Sequence, residues 1–128
     1  MRKEQVVQVA DRLFAQLKEQ DEMQLVRAVL PRRADFVKDL AYNLRTRAPR
    51  LVFVVGVVND NKPNLTIMLG DEITARGVNA GAVVREAAKL MQGGGGGKAF
   101  FATAGGKNPD GLQAAIDKAV DLIAAQLK

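Results

Sequence analysis

Two segments of this 128-residue chain combine residue types in a spacing that could do chemistry. One is the unbroken run Gly93, Gly94, Gly95, Gly96 and Gly97 followed by Lys98; the other is Gly105, Gly106 and Lys107. Glycine leaves main-chain amides unshielded, successive free amides can form a concavity that holds an anion, and a lysine ammonium adds charge. Ordering five consecutive glycines is entropically unfavourable. Either a close neighbour requires bare backbone there, or the run is a slack linker. A nucleotide-type phosphate loop is excluded on three counts. Gln92 stands where its first glycine belongs, Ala99 stands where serine or threonine must follow the lysine, and the run follows a helix-patterned segment instead of a strand. A dinucleotide fingerprint fails on the same topology.

The chain has no histidine, cysteine or serine, which excludes Ser-His and Cys-His nucleophilic catalysis and zinc ligation by His or Cys. Carboxylates, lysines, arginines, four threonines and Tyr42 remain. They could bind magnesium or move protons only by converging, and the adjacent pair Asp71-Glu72 reads as a solvated loop. The net charge of +5 is concentrated between Pro31 and Arg50, where Arg32, Arg33, Lys38, Arg45, Arg47 and Arg50 face only Asp35 and Asp39. Arginines gathered in this way point to a phosphate-rich partner, most often nucleic acid; the alternative is an exposed face that happens to be basic. Phe100 and Phe101 could stack a base. Adjacent strand residues point to opposite faces, so one is expected in the core and the other is the stacking candidate.

The elements that must position these groups follow from periodicity. Val6, Val9, Ala10, Leu13, Phe14 and Leu17 make an apolar stripe on a helix over residues 1 to about 20. Glu22 to Leu30 reads as a strand ending at Pro31, and Phe36, Val37, Leu40, Ala41 and Leu44 predict a helix over about 34–47, before Pro49. Leu51 to Val58 is a valine-rich run typical of a strand covered on both faces. A turn over 59–64 then returns Leu65 to Leu69 as a hairpin partner. Val83, Val84, Ala87, Ala88, Leu90 and Met91 mark a helix with Asn79 as N-cap, ending where the glycines begin. Ala99 to Thr103 forms a short strand, and Asn108-Pro109 opens a last helix holding Leu112, Ile116, Ala119, Val120, Ile123 and Leu127. The expected fold is therefore α/β, a small mixed sheet packed with helices and preceded by an N-terminal amphipathic helix. The expected division is a helix at 1–21 and a globular α/β RNA-binding unit at 22–128 with a glycine-rich loop at 93–97. No apolar stretch approaches the roughly 20 residues of a membrane span, and a cytoplasmic location is expected.

The string Val84-Arg85-Glu86-Ala87-Ala88-Lys89-Leu90, the five glycines, and Ala102-Thr103-Ala104-Gly105-Gly106-Lys107-Asn108-Pro109-Asp110-Gly111-Leu112 resemble the C-terminal domain of alanyl-tRNA synthetase. That domain belongs to the DHH-associated family, which also occurs in DHH-type phosphoesterases. The resemblance covers about residues 22–128. Family members commonly follow the glycines with arginine, proline, an acidic or polar residue and then Met-Ala-Gln-Ala-Gly-Gly; here Lys98, Ala99, Phe100, Phe101 and Thr103 occupy those places. The phosphoesterase branch usually has a histidine after the glycines, so its absence favours the synthetase branch. The resemblance implies a non-catalytic module that binds the outer corner of tRNA, tRNA(Ala) above all, and serves both aminoacylation and editing. ATP, magnesium and zinc would belong to other domains of the parent synthetase. In some members this region also forms a dimer contact, so the stripe on residues 6–17 either pairs with another chain or packs on the globular part. The alternatives are an oligomerisation module without RNA contact and the nucleic-acid-binding half of a phosphoesterase.

Overall fold

The computed structural model describes residues 2–128. Helix α1 (Arg2–Ala15) leads into strands β1 (Lys18–Gln20) and β2 (Met23–Val29), then α2 (Ala34–Arg45), β3 (Leu51–Asn59) and β4 (Lys62–Leu69). The short α3 (Asp71–Thr74) and α4 (Ala80–Ala88) precede β5 (Gly93–Gly97), β6 (Phe101–Gly106) and α5 (Leu112–Gln126). The strands form one mixed sheet in the order β1-β2-β3-β4-β6-β5. Only β2 and β3 run parallel, joined through α2; the other pairs are antiparallel. The α/β expectation holds, with helices on both faces of the sheet.

Alternation along the strands explains the two cores. Val52, Val54, Leu65, Ile67, Leu69, Ala102 and Ala104 pack against α4 and α5. Leu51, Phe53, Val55 and Met68 pack against α2, where Leu40 and Leu44 are fully buried. β3 therefore reads as an unbroken apolar run because both of its faces are covered. Burying a side chain such as Phe53 contributes about 1.5–3 kcal/mol. The stripe of α1 rests on this second core: Val6 and Ala10 are buried, and Val9, Leu13, Phe14 and Leu17 pack against it. Among the described residues no helix is long and apolar enough to cross a membrane.

Several boundaries differ from the sequence expectation for local reasons. The first helix ends at Ala15, and Lys18–Gln20 joins the sheet because Asp21 and Glu22 both take positive φ, 51° and 68°, as a tight two-residue hairpin turn requires. This hairpin links residues on both sides of the expected division at residue 21. The expected turn over 59–64 narrows to Asp60 and Asn61, which are likewise left-handed. Pro63 sits inside β4, opposite Val58, beyond the last β4–β6 pair at Asn64, so its missing N–H interrupts no ladder bond on that side. Asp71-Glu72 is no loop but the first turn of α3. Asn79 does cap α4, its Oδ1 accepting from the Ala82 N–H at 3.0 Å, while Asn108 caps a 3₁₀ turn at Pro109–Gly111 that feeds α5. The largest correction concerns the glycines: residues 93–97 are no loop but the edge strand β5, paired in register with β6 from Gly93–Gly106 to Gly97–Ala102.

Candidate nucleic-acid interface

Two different physical situations divide the glycines of the β5–β6 ribbon. A Cβ on Gly93, Gly95 or Gly97 would lie 2.0, 2.1 or 2.4 Å from the carbonyl oxygen of Gly105, Thr103 or Phe101, and one on Gly106 would lie 2.4 Å from that of Met91. Packing within the chain accounts for these four. Gly94 and Gly105 face each other across the ladder, and a Cβ on either would meet no heavy atom within 4 Å. At Gly96 the nearest atom is Arg85 Nη1, at 3.3 Å. Nothing in the fold demands bare backbone at 94 and 105.

By strand alternation Gly94, Gly96, Thr103 and Gly105 share the sheet face that α2 covers over β3 and β4. α2 does not extend over β5 and β6, so this end of the face is an open shelf whose floor carries no side chain larger than Thr103. Lys98 N–H donates to the Phe101 carbonyl at 2.8 Å. Because bonded and non-bonded pairs alternate in an antiparallel ladder, the main-chain groups of Gly94 and Gly96 then point at β6, and those of Gly93, Gly95 and Gly97 point out over the edge.

One end of the shelf has an aromatic wall. Phe101 packs against Tyr42 of α2 with ring centroids 5.2 Å apart, and Phe100 meets the same ring edge-on at 6.5 Å. The two phenylalanines do not split between core and surface as expected: Phe100 precedes β6, where strand alternation does not apply, and turns to the side of Phe101. Arg45 lies 4.2 Å over the Phe100 ring and Lys98 Nζ lies 5.6 Å from it. Arg45 is held by donating to the Leu69 carbonyl at 3.2 Å and to Asp71 Oδ1 at 2.6 Å. Lys98 and Lys107 are exposed and flank opposite ends of the ribbon, about 20 Å apart at ~3.3 Å per residue.

The arginines expected to extend this surface do not gather on it. Arg50 pairs with Glu19 of β1, at the far edge of the sheet. Arg47 pairs with Asp11 at 2.9 Å and lies over Phe14, tying α2 to α1. Arg33 faces Asp60 at 3.9 Å, and Arg32 lies over Phe36, both at the opposite end of α2 from the aromatic wall. Only Arg45 stands beside the ribbon. On α4, Glu86 accepts a hydrogen bond from Lys89 at 2.9 Å, and that bond and the lysine's charge hold the Glu86 carboxyl below its ordinary value. Among the described residues no three acidic side chains converge to hold a metal ion.

Residues 25–125 match the family model of the DHHA1 domain. The chain belongs to the DHHA1 family. The alanine–tRNA ligase of Bacteroides fragilis is 48% identical over 121 residues, covering 94% of this chain and 14% of the ligase. That of Bacteroides thetaiotaomicron is 46% identical with the same coverage. The C-Ala domain from Aquifex aeolicus alanyl-tRNA synthetase is a structural neighbour with TM-score 0.67 and 35% identity, covering 80% of this chain and 89% of that domain. The chain thus spans about 14% of the length of these curated relatives. The DHHA1 match includes the whole ribbon and α2, and begins inside β2, leaving α1 and β1 outside it. Two residues beside the ribbon were not singled out from the sequence. Tyr42 continues the helical period of α2, and Arg85 is an exposed position on α4; only the packing of α2 and α4 beside β6 and β5 brings them to the ribbon.

Proposed function

We propose that this chain is the C-terminal tRNA-binding module of an alanyl-tRNA synthetase, holding the outer corner of tRNA and assisting aminoacylation and editing of tRNA(Ala) in the cytoplasm. The observation that carries the reading is the shelf on which Gly94 and Gly105 stay bare although a side chain would fit. A floor with no side chain larger than Thr103 lets the flat surfaces of a folded RNA approach the peptide planes closely. Outward amides of β5, Lys98 and Lys107 then supply donors and charge for phosphates. Recognition of this kind reads shape more than sequence. Chemistry needing ATP, magnesium or zinc lies in other domains of the synthetase, which are also partners of this module.

The test is a fluorescence-anisotropy titration of the chain with labelled tRNA(Ala), a second tRNA and an unstructured RNA, each at two salt concentrations. Folded tRNA is expected to bind more tightly than unstructured RNA at equal salt. Equal affinity for the two tRNAs places identity readout elsewhere in the synthetase. Absence of binding to every RNA at low salt overturns the proposal and favours an oligomerisation module, which light scattering would reveal as a stable oligomer.

A further inference from the structure

We infer that Tyr42 is a base-stacking group which, with Lys98, receives a nucleobase of the RNA on the shelf; the inference rests on the RNA-binding reading above. Tyr42 lies in the last turn of α2, where the helix reaches the open part of the sheet face. The residue is 38% exposed, one of the few large apolar residues left to solvent. Phe101, tilted at 50°, and Phe100, nearly perpendicular at 86°, support the ring from the sheet. Arg45, anchored on Leu69 and Asp71, clamps Phe100 in turn. Tyr42 is thus a braced aromatic surface at the edge of a floor whose largest side chain is Thr103.

The surroundings select the ligand. A protein side chain seeking an apolar pocket finds none on the ribbon, because the floor running on from Phe101 is Thr103 and Gly96, then Gly105 and Gly94. A nucleotide needs three things near one another: a π surface for the base, a cation for the phosphate, and open floor for the ribose beside them. Tyr42, Lys98 and the bare ribbon supply these in that order. Stacking of this type tolerates any base, since every base has a π face, and so fits a module that reads shape.

Tyr42 is the only tyrosine, and the chain has no tryptophan, so intrinsic emission reports on this one ring without a label. In a titration of the whole chain with a folded tRNA transcript, corrected for RNA absorbance, tyrosine emission is expected to fall in step with the anisotropy of labelled tRNA. Tyr42→Phe should retain affinity within about twofold. Tyr42→Leu, which still covers Phe101 but has no π face, should weaken binding about tenfold or more and leave the salt slope unchanged. Unaltered emission through a complete binding curve, or full affinity in Tyr42→Leu, overturns the stacking role while leaving RNA binding intact. Failure of the unaltered chain to bind tRNA overturns the underlying reading and this one with it.

Discussion

Substitution of neighbouring glycines in β5 separates what the fold needs from what the surface offers. In Gly95→Ala the new methyl would stand 2.1 Å from the Thr103 carbonyl oxygen and 2.6 Å from Ala104 Cα. Backbone cannot yield as the end of a side chain can, so β5 must move off β6 by more than an ångström. Overpacking costs about 1–3 kcal/mol, and each β5–β6 hydrogen bond lost adds about 1 kcal/mol. The expected destabilisation is about 3 kcal/mol, a large share of the roughly 5–15 kcal/mol that holds a domain folded. In Gly94→Ala the methyl meets nothing within 4 Å. Stability should stay level or rise by about 0.5 kcal/mol through the stiffer unfolded chain. Urea denaturation followed by circular dichroism reads both variants. With m near 1–3 kcal/mol/M, the midpoint of Gly95→Ala should fall by about 1–3 M and that of Gly94→Ala should hold. Equal midpoints for the two variants, whether both normal or both low, would refute the division of the ribbon into packed and open glycines.

Removing the Asn79 cap by Asn79→Ala leaves the Ala82 amide without its acceptor and should destabilise the chain by about 1 kcal/mol, seen as a lower melting temperature. Lys89→Ala should raise the Glu86 titration midpoint in an NMR pH series toward the ordinary carboxylate value. The sign follows from a lowered folded-state pKa: the Lys89–Glu86 contribution is present above the ordinary value and is lost as pH falls through the lowered one, so Lys89→Ala should lessen acid sensitivity in that window. Lys98→Ala should weaken binding of every RNA by a similar factor and make the slope of log affinity against log salt shallower by about one unit; an unchanged slope would remove Lys98 from the interface.

The layered α/β fold was legible because its signals are periodic and local: a two-sided valine strand, helices with apolar stripes, and caps at Asn79 and Asn108. The glycine strand was not, since polyglycine has no side-chain alternation and low strand propensity. What makes it a strand lies outside it, in β6 and in the ladder that Lys98 and Phe101 open. Phe100 and Phe101 were misassigned because the alternation rule was applied across a strand boundary. Lys98 and Lys107 are legible as neighbours of the glycines because they adjoin them in sequence. Arg85 and Tyr42 reach the ribbon only in space, which the sequence pattern does not reveal.

Pairing of the arginines also changes what the charge of +5 means for recognition. Arg33, Arg45, Arg47 and Arg50 each face a carboxylate within 4 Å, so a phosphate approaching any of them meets a fixed negative charge as well. The cations at the ribbon with no acidic partner among the described residues are Arg85, Lys98 and Lys107. Three phosphates at a slope of about 0.7–0.9 each lower affinity roughly 30-fold between 50 and 200 mM salt; eight, had all five expected arginines joined, would lower it by several thousandfold. In the proposed RNA complex so small a charged footprint would leave most of the binding free energy to contacts that salt does not screen: close approach over the floor, hydrogen bonds from the β5 amides, and the aromatic wall. A shallow slope together with a preference for folded RNA is therefore the signature of this surface, and a steep slope with no preference would belong to a diffuse basic patch that the structure does not contain.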